Sequence, residues 1–134
     1  SMDQEFLQWS TEYAWVNCVT NRGDWHTEDM LKLGADKYPA AKWCADHGEG
    51  WYFPSSHEMQ LMWDAVSDGK HVFDGEFVKL YNDKLDDPIV EDYYWSSNET
   101  SETMAEVVVF INNSVICLDP IKDKSFYVRA VHKF

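Results

Sequence analysis

The helix-forming and strand-forming signals of this sequence are separated along the chain, and their order restricts the folds it can adopt. Helical patterns lie mainly in the first two-thirds, whereas aromatic and β-branched runs dominate after Pro88. A further apolar run, residues 12–20, lies near the start and predicts a first strand. Helices followed by strands favour an α+β fold with a mostly antiparallel sheet. We expect the N- and C-terminal strands to be adjacent in that sheet.

The clearest helix signal is a capping box that starts at Ser55. The side chains of Ser55 and Glu58 are spaced so that each can bond the backbone N–H of the other. An apolar stripe at positions i, i+3, i+4 and i+7 follows and predicts one buried helix face: Met59, Met62, Trp63 and Val66.

Weaker signals predict the remaining elements. A short helix is expected over residues 40–47, with Pro39 in its first turn, and another over residues 74–85. Residues 27–38 give no clear pattern. The expected strands are residues 93–97, a hairpin of 106–111 and 114–118 around the turn pair Asn112-Asn113, and residues 125–133.

Tryptophan is abundant, with seven among 134 residues. Large aromatic side chains serve both cores and binding faces, so their placement matters. Five lie in predicted elements at positions that need an inward aromatic side chain: Trp15, Trp43, Trp51, Trp63 and Trp95. Trp9 and Trp25 remain unassigned, and we interpret the high count mainly as a property of the fold.

Size and charge limit the class of protein. A chain of 134 residues corresponds to one domain, expected over residues 1–134. Its 24 acidic and 11 basic residues give a net charge of −13. Such a charge disfavours nucleic acid and anionic membrane surfaces as partners. No run of 18 apolar residues is present, so membrane insertion is not expected.

Motifs for catalysis and metal binding are missing from the sequence. His57-Glu58 begins like a zinc-protease helix, but the position of the second histidine is Leu61. The five histidines never occur at ligand spacing, and no phosphate-binding glycine loop is present. We therefore predict no catalytic residues, no metal ligands and no cofactor. Acidic loop clusters leave Ca²⁺ binding as an alternative, although the EF-hand spacing is absent.

The three cysteines allow two arrangements. Cys18, Cys44 and Cys117 form either one disulfide and one free thiol, or three buried thiols. All three lie in apolar runs, which favours unreactive thiols.

Three sequence segments taken together resemble a known family. Residues 50–59, GWYFPSSHEM, resemble the G-W-x-L-P-(S/T)-x-x-E-L signature of the collagen-like adhesin C-terminal domain family, also called domain of unknown function 1566. Ala41-x-x-Cys44 resembles the helix that precedes that signature. Residues 94–97, YWSS, and the final segment VRAVxxF resemble the C-terminal part of that family's sequence pattern. The resemblance covers residues 40–134 and implies a C-type lectin-like fold with two to three helices.

The resemblance also implies a function. Such domains occur in bacterial surface, adhesin and phage-like proteins, and some are targets of diversity-generating retroelements. This implies a non-enzymatic module that binds a glycan or protein ligand through variable loops, in an extracellular or cell-surface location. The Glu-Pro-Asn and Trp-Asn-Asp sugar motifs of Ca²⁺-dependent lectins are missing here.

The loops beside the predicted sheet, residues 92–103 and 119–124, are the candidate ligand site. Loops that combine aromatic and polar side chains suit recognition. The predicted contacts are Trp95 as an aromatic anchor with the polar residues Asn98, Glu99, Glu102, Asp119 and Lys122. The alternative for Trp95 is a place in the core.

Two other functions stay open at this point. One is a hydrolase or metal-dependent enzyme built from scattered groups, such as His47 and His132 with a loop carboxylate. The other is a structural domain such as a trimerising tip, and the oligomeric state is left open.

Overall fold

The computed structural model describes residues 4–67, 93–111 and 114–133. The α-helices in this part of the chain are α1 (Gly23–Gly34), α2 (Pro39–Ala45) and α3 (Ser56–Ser67), and a 3-10 helix (Ala35–Lys37) joins the first two. The strands are β1 (Gln4–Gln8), β2 (Trp51–Tyr52), β3 (Tyr93–Glu99), β4 (Ala105–Ile111), β5 (Ser114–Leu118), β6 (Ser125–Arg129) and β7 (Val131–His132).

Five of these strands form one sheet in the order β1-β6-β3-β4-β5. All neighbours are antiparallel except β3 and β6, which are parallel where Tyr94 faces Tyr127. A second, two-stranded sheet joins β2 to β7. The predicted α+β class with a mostly antiparallel sheet is confirmed, and β1 pairs with β6 near the C-terminus as expected.

The first strand is not where the sequence pattern places it. Residues 12–20 form no strand, and β1 lies earlier in the chain. The N–H groups of Val16 and Cys18 donate to the carboxylate of Glu99 instead of to a neighbouring strand. Asn17 between them has a φ of 77°, in the left-handed region that interrupts an extended chain. A buried side chain thus satisfies the backbone that a sheet would otherwise satisfy.

The capping box is confirmed and does more than start a helix. The N–H of Ser55 donates to Oε1 of Glu58 at 2.9 Å, and the N–H of Glu58 donates to Oγ of Ser55 at 3.2 Å. The same Oε1 accepts the N–H of Gly23 at 2.9 Å. A Cβ at Gly23 would clash with the backbone carbonyl oxygen of Phe53. Glycine therefore lets the start of α1 lie directly against the segment that leads into α3.

The structure also assigns the region without a clear sequence pattern and the predicted elements that follow it. Residues 27–38 belong largely to α1, which begins four residues earlier. The predicted hairpin is confirmed, since Ile111 pairs with Ser114, although Asn112-Asn113 lies outside the described residues. The predicted last strand is divided, because β6 joins the large sheet and β7 joins β2. The helix predicted over residues 74–85 lies outside the described part of the chain.

Tryptophan placement differs from the prediction at two positions. Trp9, unassigned from sequence, is fully buried, and its Nε1 donates to the carbonyl oxygen of Ser96 at 2.9 Å. Trp95 is also fully buried, as the core alternative requires. Trp15 was expected to point inward, but 48% of it is exposed because it lies on an irregular loop.

Trp43 and Trp51 are half-buried, whereas Trp25 is exposed on α1. Met59 and Met62 of the predicted stripe are buried. The structure does not describe the side chains of Trp63 and Val66, the other two members of the stripe.

We expect Trp9→Ala to lower the free energy of unfolding by about 3–5 kcal/mol, because it removes a buried indole and leaves a cavity. Trp15→Ala should change it by about 1 kcal/mol or less, because half of that side chain already contacts solvent. Urea denaturation followed by circular dichroism measures both values. Equal losses in the two variants would contradict this placement of the two side chains.

Candidate functional site

A long irregular segment connects β1 to α1. We call residues 11–21 the anchored loop. It is longer than most connections between secondary-structure elements in compact domains, which have a median of about 4–6 residues. Three of its large apolar side chains are exposed: Tyr13 at 47%, Trp15 at 48% and Val19 at 56%. Exposed aromatic side chains on a loop are typical of recognition surfaces.

A buried ion pair lies beneath this loop. Nζ of Lys122 is 2.7 Å from Oε2 of Glu99, and both side chains have no exposed surface. The ammonium also donates to the carbonyl oxygen of Ala14 at 2.8 Å and lies 4.8 Å from the ring centroid of Trp9. Buried charges must be paired and hydrogen-bonded, so the position of Ala14 is part of what satisfies Lys122.

The carboxylate of Glu99 holds the next part of the loop. Its Oε2 accepts the N–H of Val16 at 3.0 Å, and its Oε1 accepts the N–H of Cys18 at 2.8 Å. Charge-assisted hydrogen bonds of this kind are about twice as strong as neutral ones. Together, Glu99 and Lys122 fix the backbone at three alternate positions: Ala14, Val16 and Cys18.

A neutral polar network holds the far end of the loop. Nδ2 of Asn98 donates to the carbonyl oxygen of Thr20 at 2.8 Å. The N–H of Thr20 donates to Nε2 of His26 at 3.2 Å, and Nδ1 of His26 lies 2.7 Å from Oγ of Ser97. Since Nε2 accepts a hydrogen bond, the ring proton lies on Nδ1 and points to Ser97. Burial lowers the pKa of His26, which keeps the ring neutral.

Further contacts fix the start of the loop. The N–H groups of Trp9 and Ser10 donate to the carbonyl oxygen of Lys122, and the N–H of Thr11 donates to that of Lys37. Tyr13 donates from its hydroxyl to Oδ2 of Asp123 at 3.2 Å. The loop is therefore tied to the protein along its length, and its exposed side chains start from fixed backbone positions.

The structure separates the six predicted contacts into two groups. Trp95, Glu99 and Lys122 are buried, and Trp95 donates from Nε1 to the carbonyl oxygen of Leu7 at 3.0 Å. Asn98 is half-buried between Thr20 and Ser56, whose N–H donates to its Oδ1. These four residues belong to the interior or support the anchored loop from below.

Glu102 and Asp119 are the exposed members of the predicted set, and they lie on separate irregular segments. The structure therefore does not bring the six residues together on one surface. An aromatic anchor must be exposed to contact a ligand, and Trp95 is fully buried.

Sequence reasoning missed the exposed side chains Tyr13, Trp15 and Val19. Their segment was interpreted as a strand because of its β-branched and aromatic content. The available contrary signal was Asn17, a residue type that tolerates the left-handed region, in the middle of an apolar run without period-two alternation.

The histidines singled out for an enzyme are part of an aromatic row. The ring of Trp51 lies between His47 and His132, with ring centroids 5.2 Å and 5.3 Å away. His47 Nδ1 lies 2.8 Å from the carbonyl oxygen of Trp43, whose ring continues the row. Both imidazole rings therefore pack against the indole of Trp51.

The remaining chemistry of the described residues is sparse. No group of three His, Cys, Asp or Glu side chains in residues 4–67, 93–111 and 114–133 is arranged to hold a metal ion. The three cysteines are free, so the disulfide alternative is not present. Burial raises the pKa of the Cys18 and Cys44 thiols, whereas Cys117 is exposed, contrary to the expectation of three buried thiols.

None of the helices in the described part of the chain is long and apolar enough to span a membrane.

In comparison with known proteins, the chain matches no family model, and no curated protein matches it. The resemblance of residues 40–134 to the adhesin-domain family therefore stays a prediction.

Removing the buried ammonium should strongly destabilise the protein. We expect Lys122→Met to lower the free energy of unfolding by about 3–5 kcal/mol, because it leaves the Glu99 carboxylate buried without a cation. The control is Lys37→Met, which breaks an exposed pair with Glu12 and should cost less than about 1 kcal/mol. Urea denaturation measures both, and a small loss for Lys122→Met would show that the pair is not buried as described.

Stability should depend on the protonation of His26. Its folded pKa is lowered, so below the unfolded value of about 6.5 the unfolded chain binds a proton that the folded protein does not. The free energy of unfolding should therefore fall as the pH is lowered from 7.5 to 5.5. In His26→Gln, which keeps an acceptor for Thr20 but does not titrate, this decrease should be smaller. Thermal unfolding at both pH values tests this, and an identical decrease in the two proteins would contradict it.

Proposed function

We propose that the chain is a non-enzymatic, C-type lectin-like binding module that recognises a glycan or protein ligand through loops beside its sheet. The observation that carries this proposal is the anchored loop, in which buried polar groups hold the backbone while Tyr13, Trp15 and Val19 face solvent. A loop already fixed in one conformation loses little conformational entropy on binding.

The exposed side chains suit both ligand classes. Tyrosine and tryptophan offer a large apolar face with a polar edge, which packs against sugar rings or apolar protein surfaces. Trp25, exposed in the first turn of α1, adds a further aromatic side chain near the end of the loop, with Arg22 4.2 Å from its ring centroid. The net charge of −13 favours neutral or basic ligands over anionic ones.

This proposal moves the contact residues while keeping the type of function. Asn98, Glu99 and Lys122 were predicted to contact the ligand. In this proposal they instead support the anchored loop, because their side chains bond to its backbone from the sheet side. Glu102 and Asp119 remain exposed candidates for peripheral polar contacts. The proposal requires no metal or cofactor, and it carries with it an extracellular or cell-surface location.

Two features of the fold support the C-type lectin-like part of the proposal. The first and last long strands, β1 and β6, are neighbours in a mostly antiparallel sheet. The long irregular loop lies beside that sheet and is supported by it, which is the arrangement expected for a scaffold that tolerates variable loops.

The test is a screen of the labelled protein on a glycan array and on an array of surface and secreted proteins. We expect a ligand whose affinity falls at least about tenfold in Tyr13→Ala and in Trp15→Ala, the size expected for central contacts. Phe6→Ala is the matched control, because Phe6 is an exposed aromatic on β1 with 57% of its surface accessible. Its affinity should stay within about twofold of the original.

Two results would overturn the proposal. One is a ligand on either array whose affinity is unchanged by both loop variants. The other is the absence of any ligand on both arrays.

A further inference from the structure

Strand β5 lies at one edge of the five-stranded sheet, and no strand among the described residues pairs with its outer side. Ile111 and Ser114 pair with only two residues between them, so this closing pair exchanges its backbone hydrogen bonds. Pairing alternates along a strand, so Ile116 and Leu118 also bond to β4. The N–H and C=O groups of Val115 and Cys117 therefore point away from the sheet, where another strand can pair with them.

An apolar hollow of about 380 Å³ lies on the sheet face on the inner side of this edge, and Leu118 of β5 contributes to its lining. Its lining comes from four strands and the turn after β5: Tyr93, Val107, Leu118, Asp119, Pro120 and Phe126. Ile116 and Leu118 lie on the same face of β5, and both are more than 40% exposed. A strand added to β5 would place every second side chain on this face.

The end of β5 carries negative charge. Val107 pairs with Leu118, so the next positions along the two chains bring Glu106 opposite Asp119. Partial desolvation raises the pKa of the exposed Cys117 thiol, and the carboxylates of Glu106 and Asp119 raise it further, which agrees with their closeness. Two like charges facing each other across a strand pair are unfavourable, and a cation between them would relieve this.

We infer that the outer edge of β5 binds an extended basic segment of a partner protein as an added β-strand. Alternate apolar side chains of that segment pack against Ile116 and Leu118 at the outer border of the hollow, and its Lys or Arg side chains lie on the other face, near Glu106 and Asp119. Backbone pairing then provides affinity, while the hollow and the carboxylates provide selectivity. This inference does not depend on the anchored loop or on the function proposed for it.

The negative charge of the chain favours a basic segment of a partner protein over a second copy of the chain at this edge. A second copy would bring another net charge of −13 and the same acidic pair to the interface. The exposed apolar side chains near the edge, Tyr93, Ile116, Leu118 and Ile121, are also few compared with the roughly 800 Å² per partner that a stable interface buries.

The test uses a blocked nine-residue peptide of alternating Val and Lys, and a control peptide with Glu in place of Lys. Isothermal titration calorimetry on the full chain should show binding of the Lys peptide and at least about tenfold weaker binding of the Glu peptide. Because charged contacts contribute, the Lys peptide should bind several-fold more weakly at 300 mM than at 50 mM salt.

Three variants locate the site. Cys117→Pro removes an outward N–H from the edge and should abolish binding, since proline is tolerated at sheet edges but cannot donate. Glu106→Gln should weaken binding about threefold or more and reduce its salt dependence. Glu102→Gln is the matched control, because this exposed residue lies outside the strands and should leave the affinity unchanged.

Equal binding of the two peptides would overturn the inference. Equal affinities of Glu106→Gln and Glu102→Gln would also overturn it, because the attraction would then be general rather than local. If circular dichroism shows that Cys117→Pro does not fold, the affinities of Glu106→Gln and Glu102→Gln for the Lys peptide decide whether the inference holds. A concentration-dependent dimer in light scattering that Cys117→Pro abolishes, together with no binding of the Lys peptide, would assign the edge to a second copy instead.

Discussion

The buried pair of Glu99 and Lys122 is the interaction on which the first part of the chain depends. Removing two charges from water costs several kcal/mol per ion, and the attraction between them offsets this only when every other polar atom is satisfied. Here the backbone of Ala14, Val16 and Cys18 supplies the missing partners. The pair and the loop therefore require each other.

The parts of the fold that were predictable from sequence are those fixed by close neighbours in the chain. The capping box at Ser55 and Glu58 needs a spacing of three residues, and the β4–β5 hairpin needs a two-residue turn. Residues 12–20 have strand-like composition, but their conformation is set by side chains about 80 residues or more away. Local propensity carries no information about such partners, and so this strand prediction was wrong.

The candidate site shows a related limit. Asn98, Glu99 and Lys122 were selected because polar residues cluster in loops near the sheet, and the structure does group them around one feature. Sequence does not show which side of a loop is covered, so supporting residues and contact residues look alike. The same reason explains why Trp15 was expected to point inward and why Trp9, which is fully buried, could not be assigned.

The anchored loop also depends on partners that are synthesised after it. It leaves the ribosome well before Glu99 and Lys122, which lie about 80 residues or more further along the chain. Contacts of such high sequence separation form late, after the intervening chain has collapsed. A nascent or C-terminally shortened chain would therefore carry Tyr13 and Trp15 on a disordered segment. The surface formed by the anchored loop becomes defined only when Glu99 and Lys122 are in place.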